Sequence, residues 1–594
     1  MNPAGAMSNT TAAPRQRWVL ARQHPEQADT LARDARLPHV LAELLAARGI
    51  FSAAEAFAFL NPEIDQMHDP FLMRGMQAAV DRIEHAIAHS EPILLYGDYD
   101  VDGTTAVVLL KTTIEMLGGL VRFHVPHRLR EGYGLQSSVL EEAHTAGIRL
   151  VLTVDTGMRA FAEADTARRL GLDLIITDHH LPEAHESLPS ALAILNPNQP
   201  GCAYPEKSLC GAAIAFKLAQ ALLERNNPQR TREKTLPSFL KMAAIATIAD
   251  AVPLKGENRV IAALGLRELR KPVGAGLRAL FDSAMLDPAA KPISGFDVAF
   301  RLAPRINAAG RMDVASDVVE LFTTRDMARA REIAAKLERL NRERRDTEAF
   351  ALTAIESRLA AEPGLSAERL LILDGGGWHR GVIGILASRV VERTAKPAIV
   401  ISIEDGIAHG SGRSVDGFPL LEAIETCADL FTRFGGHAFA VGFALPAEAL
   451  PELKRRLSLH AAERLAQRDP EHILSIHAEL PLDRITPVLA GWLRKLEPLG
   501  HGNPEPVFLA RNLRLLSPLR LMKERHIRLE LSPAGVTSAP CLVRAVGWGM
   551  AVRASQLGLT QGSRVDVAYR IRENDHPQFG GLEIEIAGIE TCSA

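Results

Sequence analysis

From Pro92 onward the chain alternates short apolar runs with segments of helical periodicity. ILLYGD, VRFHVP, LVLTVDTG and LDLIITDHH each end in polar or turn residues, as strands buried on both faces do. Between them, Thr104 to Leu117, Ser138 to Ala146 and Phe161 to Leu170 place apolar residues at helical spacing. This alternation predicts an α/β fold built from βαβ units around a parallel sheet. Such sheets bind ligands outside the carboxyl ends of their strands, so the polar tails should meet in one crevice.

The pattern changes at Arg325. From there to Glu348, charges of both signs surround recurring Ala and Leu without Gly or Pro, which predicts a long connecting helix. Past Pro363 a second α/β block follows: LLILDGG, a helix near Ile383 to Thr394, PAIVISIED, and the Gly-rich GSGRS and FGGH. From about Ile476 the runs FLARNLRLL, HIRLELS, RVDVAYRI and LEIEIAGIE alternate in strand fashion, predicting a small β-barrel or sandwich. The expected division is a leader and helical segment over 1–70, an α/β domain over 71–324, a connecting helix over 325–362, a second α/β domain over 363–468 and a β module over 469–594. A chain of 594 residues is too long for one core, which fits several domains.

Composition narrows the class. Hydrophobic residues at 47% and charged residues at 23% are those of a soluble globular protein, which excludes wholesale disorder or a rod. The 68 Lys and Arg against 71 Asp and Glu leave no bulk basic field, so any polyanion must be met by local positive charge. Aromatics at 5% argue against a broad base-stacking platform. Cys202, Cys210, Cys427, Cys541 and Cys592 are scattered without a C-x-x-C pair, so neither a disulfide framework nor a thiolate zinc site is expected, and a reducing cytoplasm fits. The opening residues lack a secretory h-region and read as a disordered leader of about a dozen residues. No run reaches ~18 apolar residues, so no membrane helix is expected.

The chemistry concentrates at the strand ends. GDYDVDGTT follows ILLY and places Asp98, Asp100 and Asp102 at alternate positions, which in an extended segment point the same way toward a hard cation. A calcium loop of the D-x-D-x-D-G type is the competing reading, but Leu109 stands where its last ligand, a Glu, is required. Asp155 ends LTVD, and Asp178 ends IITD beside His179 and His180. Carboxylates with neutral imidazole suit Mn²⁺, Mg²⁺ or Fe²⁺. Asp250 interrupts the apolar stretch ATIADAVPL and needs a metal or a cation partner such as an Arg.

These segments, in this order, resemble the DHH phosphoesterase superfamily. The intervening HVPHRLREGYG, LCGAAIAFKL, RLAPRINAAGRM, GWHRGVIGILASRV, GSGRS and FGGHAFAVGF narrow the resemblance to the RecJ family of single-stranded-DNA-specific exonucleases. His127 departs from it, standing where that family's second motif has Asn. The resemblance implies DHH and DHHA1 domains joined by the long helix, with an OB-like β-barrel behind them. It implies two divalent cations, Mn²⁺ or Mg²⁺, on Asp100, Asp102, Asp155, His179 and Asp250, with Asp155 bridging. His180 would contact the phosphate or position the nucleophile, while Asp98 and Asp178 would orient their neighbours or serve as ligands.

Arg128, Arg311, Ser411, Gly412 and Arg413 would hold a 5′-terminal phosphate, which sets 5′→3′ polarity and release of 5′-mononucleotides. For Arg311, capping a helix or pairing with Asp313 is the structural alternative. His437 would lie near the same groove, although its glycines serve packing equally well. The resemblance further implies a monomer acting on single-stranded DNA in recombination and repair, beside a single-strand-binding protein and a RecQ-type helicase. A nuclease of short oligonucleotides, a nucleotide phosphatase and a non-catalytic replication scaffold are the rival readings.

Overall fold

The computed structural model describes residues 15–592 except 129, 133, 183–187, 272, 467–469, 535–541 and 575–579, so the expected leader and Cys541 lie outside the described residues. Strand β1 (Arg15–Leu20) leads into helices Pro25–Asp34, His39–Ala46 and Ala53–Leu60. Their apolar faces make no core of their own. Leu31, Leu41, Leu44, Leu45 and Leu60 bury in one cluster with Leu480, Phe508, Leu513, Ile527 and Tyr569 of the C-terminal module.

The first sheet follows, with β2 (Ile93–Gly97), β3 (Val121–His124), β4 (Leu150–Val154), β5 (Asp173–Thr177) and β6 (Ala193–Leu195) all parallel in the order β3-β2-β4-β5-β6. The first four are the expected runs; β6 is only three residues long, too short for a periodicity signal. Ile93 and Leu95 enter the core beneath helices α1 (Val101–Met116), α2 (Gly211–Asn226) and α3 (Leu236–Ala249), whereas Leu94 and Tyr96 enter a second core on the opposite face. Burial on both faces is why β2, β4 and β5 read as continuous apolar runs, whereas β3, at the sheet edge, is only partly buried. α1 begins three residues earlier than its apolar pattern, because Asp100 caps it by accepting the Gly103 N–H at 3.0 Å.

Helix α4 (Met327–Ala361) buries Ala330, Ile333 and Leu337 in the first domain and Ala351 and Ile355 in the second, so it braces both. The second sheet comprises β7 (Leu371–Gly376), β8 (Ala398–Glu404), β9 (Ile407–Arg413), β10 (Arg433–His437) and β11 (Ala440–Pro446), with α5 (Ile383–Thr394) against it. Its order is β10-β11-β9-β8-β7, and only β7 and β8 run parallel.

Strand β12 (Glu471–Ile476) pairs in parallel with β1 as a separate ribbon. The C-terminal module contains β13 (Ala478–Glu479), β14 (Phe508–Leu515), β15 (Arg520–Met522), β16 (His526–Pro533), β17 (Val543–Gly547), β18 (Arg564–Asn574) and β19 (Gly581–Thr591). The pairings run β14-β18-β19-β17-β16 and return from β16 to β14, so the module is a closed five-stranded barrel of OB type rather than a sandwich. Among the described residues no helix is long and apolar enough to cross a membrane, and the four described cysteines are free.

Candidate active site

Gly97, Val154 and Thr177 are in register at the carboxyl ends of β2, β4 and β5, so the residues that follow them, Asp98, Asp155 and Asp178, emerge side by side. Asp155 adopts a left-handed φ of 60°, held by its own N–H donating to Thr177 O at 2.9 Å. Strain of this kind persists only where the surroundings dictate it, and it is common at functional sites.

The three acids of GDYDVDGTT converge by a different route from the expected alternation. Asp98 leaves the strand, Asp100 caps α1, and Asp102 already lies in the first helical turn. A strand-to-helix turn therefore replaces the extended segment. Asp102 is buried, and its two oxygens accept the N–H groups of Gly211 and Ala212 at 2.6 and 2.8 Å. The N-terminus of α2 thus stabilises this carboxylate through its free amides and dipole.

His179 stands at the centre. Its Nε2 is 3.2 Å from Asp155 Oδ1 and 3.9 Å from Asp102 Oδ2, and its Nδ1 is 3.9 Å from Asp250 Oδ2. Asp155 Oδ1 nevertheless has no hydrogen-bond partner among the described residues, so it and the imidazole face each other as two ligands of one ion do. Asp178 behaves differently. It accepts N–H groups from Met158, His179 and His180 at 2.8, 2.8 and 3.1 Å and the His180 Nδ1 hydrogen at 2.6 Å. It orients the loop and the His180 ring. Asp98, expected as an orienting group or a ligand, lines the cavity, and its Oδ1 is buried without a hydrogen-bond partner among the described residues.

Three sets of potential ligand atoms each lie within 4.8 Å of one another: Asp98, Asp100 and Asp155; Asp155, His179 and His180; Asp102, His179 and Asp250. Asp155 and His179 each belong to two sets. Burial, then mutual repulsion, pushes the carboxyls of Asp98, Asp100 and Asp155 above the usual range and that of Asp250 up to about 9. Burial also lowers His179, keeping its imidazole neutral and able to ligate. For His180 burial opposes protonation, but the bond and charge of Asp178, with Asp250 and Asp98 nearby, together outweigh it and raise the ring to about 9. A divalent cation would relieve the repulsion and satisfy the orphaned oxygens, and the all-oxygen-and-imidazole donor set fits one.

The cluster opens into a cavity of about 350 Å³ that Tyr99, Arg128, Asn307, Gly310 and Arg311 also line. The Arg128 guanidinium lies 5.1 Å from the Tyr99 ring centroid. His127, one residue before it, donates its N–H to Glu131 at 2.7 Å and does not line the cavity. Arg311 donates to Gly381 O at 3.1 Å, and burial with Arg128 nearby lowers it to about 10. It does not pair with Asp313, which binds Lys336 at 2.7 Å. Asp250 likewise faces histidine, not arginine. Arg413, at the end of β9, donates to Ser411 Oγ at 3.2 Å and Gly412 O at 2.8 Å. A Cβ at Gly384, in the first turn of α5, would lie 3.1 Å from Ser411 Oγ and 3.2 Å from Arg413 Nη2, so that turn closes on the pair. Burial, then Arg128, lowers Arg413, so the guanidinium groups share one field. His437 is exposed at the end of β10 and lines no part of the cavity.

The segment RLAPRINAAGRM supplies two further residues that its sequence did not single out, Asn307 and Gly310. Asn307 Oδ1 accepts the Val101 N–H at 3.1 Å, and a Cβ at Gly310 would stand 2.4 Å from Tyr99 O. A polar residue four before the Arg, on one helical face, was the available signal.

Three family models match the chain: the DHH family, N-terminal domain, over residues 92–247, the DHHA1 domain over 367–463, and the RecJ OB domain over 476–587. The chain is 36% identical over 574 residues to the single-stranded-DNA-specific exonuclease RecJ of Bacillus subtilis, covering 95% of this chain and 69% of that protein. It is 37% identical over 517 residues to its counterpart in Dickeya dadantii, covering 84% and 88%. Among solved structures it resembles RecJ of Thermus thermophilus in complex with Mn²⁺, with a TM-score of 0.82 and 29% identity over 98% of this chain and 80% of that one. The Mg²⁺ complex of the same protein gives a TM-score of 0.75 and 27% identity over 98% and 79%. Domain order, similarity to RecJ proteins over most of this chain and the strand-end acids agree, and the chain belongs to the RecJ family of single-stranded-DNA-specific exonucleases.

Proposed function

We propose that this metal-dependent exonuclease degrades single-stranded DNA from its 5′ end with two divalent cations, Mn²⁺ or Mg²⁺, and releases 5′-mononucleotides in recombination and repair. The observation that carries the reading is the sharing of Asp155 and His179 between adjoining ligand sets, in a cavity that Arg128 and Arg311 also line. Asp98, Asp100, Asp102, Asp155, His179 and Asp250 would hold the ions. Bound cations supply Lewis acidity that acidifies water and neutralises a leaving oxygen.

The chain's own groups do the rest. Two N–H donors of α2 hold the Asp102 carboxylate in place, and Asp178 aims the His180 ring at the cavity, where it can meet a phosphate oxygen. Arg128, Arg311 and the Ser411–Arg413 segment offer donors for a terminal phosphate, which supports cutting from a 5′ end. Their separation between the two α/β domains favours a flexible single strand over a duplex.

The presence of an OB barrel argues against a nuclease of dinucleotides, and the complete acid set argues against a scaffold. The family's roles support a monomer acting in the cytoplasm beside a single-strand-binding protein and a RecQ-type helicase. Digestion of 5′-labelled and 3′-labelled single strands with Mn²⁺ or with chelator tests the reading. Labelled mononucleotide should appear first from the 5′-labelled strand and only with metal. Early release from the 3′ label, or faster cleavage of dinucleotides than of long strands, would overturn it.

A further inference from the structure

The turn that carries Asp250 leans on a distant part of the chain. Asp250 caps α3, Ala251 takes a left-handed φ of 56°, and Pro253 and Leu254 lead to the helix Gly256–Glu268. Leu254 donates its N–H to His501 O at 2.8 Å. A Cβ at Gly502 would stand 2.9 Å from Pro253 Cβ, and one at Gly500 would stand 2.9 Å from Leu254 Cδ1. The turn over residues 500–503 therefore sits directly on the passage that follows Asp250.

That turn is itself fastened. Gly500 and Asn503 exchange both backbone hydrogen bonds, at 2.9 and 3.1 Å. Asn503 is fully buried, donates to Leu496 O and Pro498 O at 2.8 and 2.9 Å, and accepts from Arg48 Nε at 2.8 Å. Arg259, in the helix that follows Leu254, donates to Phe59 O, Leu496 O and Glu497 O at 2.9 Å and to Lys495 O at 3.0 Å. Its guanidinium also stacks 3.7 Å from the Phe59 ring centroid. A buried guanidinium given wholly to carbonyls is a costly fixture that makes sense as a clamp.

We infer that the His501–Asn503 turn of the C-terminal module, clamped by Arg259 and Arg48, positions Asp250 in the metal site, so that the OB module takes part in assembling the catalytic centre. The inference rests on the reading of Asp250 as a metal ligand. Groups that support a ligand from behind commonly govern metal affinity by about 10- to 100-fold. The module's role is thus separable from any contact it makes with DNA.

The test is Mn²⁺ titration calorimetry on the full chain, with kcat and KM measured across Mn²⁺ concentrations. Gly502→Ala forces a Cβ against Pro253 at a residue with φ of 72°. Gly558→Ala is the control, with φ of 59° and open space around it. Gly502→Ala should weaken Mn²⁺ binding about tenfold or more, with kcat recovering at high Mn²⁺ and KM for DNA unchanged. Gly558→Ala should bind Mn²⁺ as the wild type does.

Should Gly502→Ala fail to fold, as judged by circular dichroism, Arg259→Lys removes the fork and should give the same shift. Wild-type Mn²⁺ affinity in the folded variant, or an equal loss in Gly558→Ala, overturns the inference. Asp250→Asn separates the two claims. Weakened binding there with none in Gly502→Ala sinks the positioning role alone, whereas wild-type binding in Asp250→Asn sinks the ligand assignment beneath it.

Discussion

Gly211 packs against Asp155 so closely that a Cβ at residue 211 would stand 2.7 Å from the Asp155 Cβ and 2.8 Å from its Oδ1. Only glycine lets the first turn of α2 reach Asp102 without displacing the acid that two ligand sets share. Gly211→Ala should therefore lower Mn²⁺-dependent cleavage about 10- to 100-fold, at a stability cost of about 1–3 kcal/mol for overpacking. Steady-state rates across a Mn²⁺ titration, alongside urea unfolding, measure both. A wild-type rate would contradict this packing.

Asp178 and His180 act as a pair. With the carboxylate made neutral in Asp178→Asn, the ring loses its strongest acceptor and the loop loses part of its N–H anchorage. kcat should fall about 10- to 100-fold while KM for DNA changes little, because orientation and not binding is lost. A rise in KM at constant kcat would instead place His180 in binding alone.

Arg413 holds no carboxylate among the described residues and lies beside Ser411 at the closing turn of α5. Arg413→Ala should erase the preference for a 5′-phosphorylated over a 5′-hydroxyl strand, a loss of about tenfold or more for one charge-assisted bond. Competition between the two substrates measures it. Mn²⁺ affinity should stay unchanged.

His477 gives the C-terminal module a pH signature. It accepts the Val507 N–H at 3.1 Å, and burial, with Arg48 nearby, lowers its ring to about 4. The fold holds it neutral, whereas an unfolded histidine protonates near pH ~6.5. Its contribution is thus complete above that pH and is lost as pH falls toward 4. Melting temperatures should decline across this window. His477→Gln, which retains an acceptor, should flatten that slope.

The strand ends were legible because each acid interrupts an apolar run, and burial on both faces removes competing periodicities. The barrel was legible from its alternation. The convergence of Asp98, Asp100 and Asp102 looked extended in the sequence, because the cap at Asp100 starts α1 before its apolar pattern does. Packing of Leu31, Leu41 and Leu44 against Phe508 and Tyr569 joins positions far apart in the chain, and no local period records it. The pairing of β1 with β12 was hidden for the same reason. Asn307 was hidden within a helix whose Arg carries the stronger signal. The contact between His501 and Leu254 likewise exists only in the folded chain.

The most direct test of the metal centre counts bound Mn²⁺ and measures single-strand cleavage on the same samples of wild type and Asp155→Asn. Two ions per chain and robust cleavage are expected for the wild type. The variant should stay folded, hold fewer ions and lose cleavage. An Asp155→Asn protein that binds two Mn²⁺ and cuts at the wild-type rate would contradict the account.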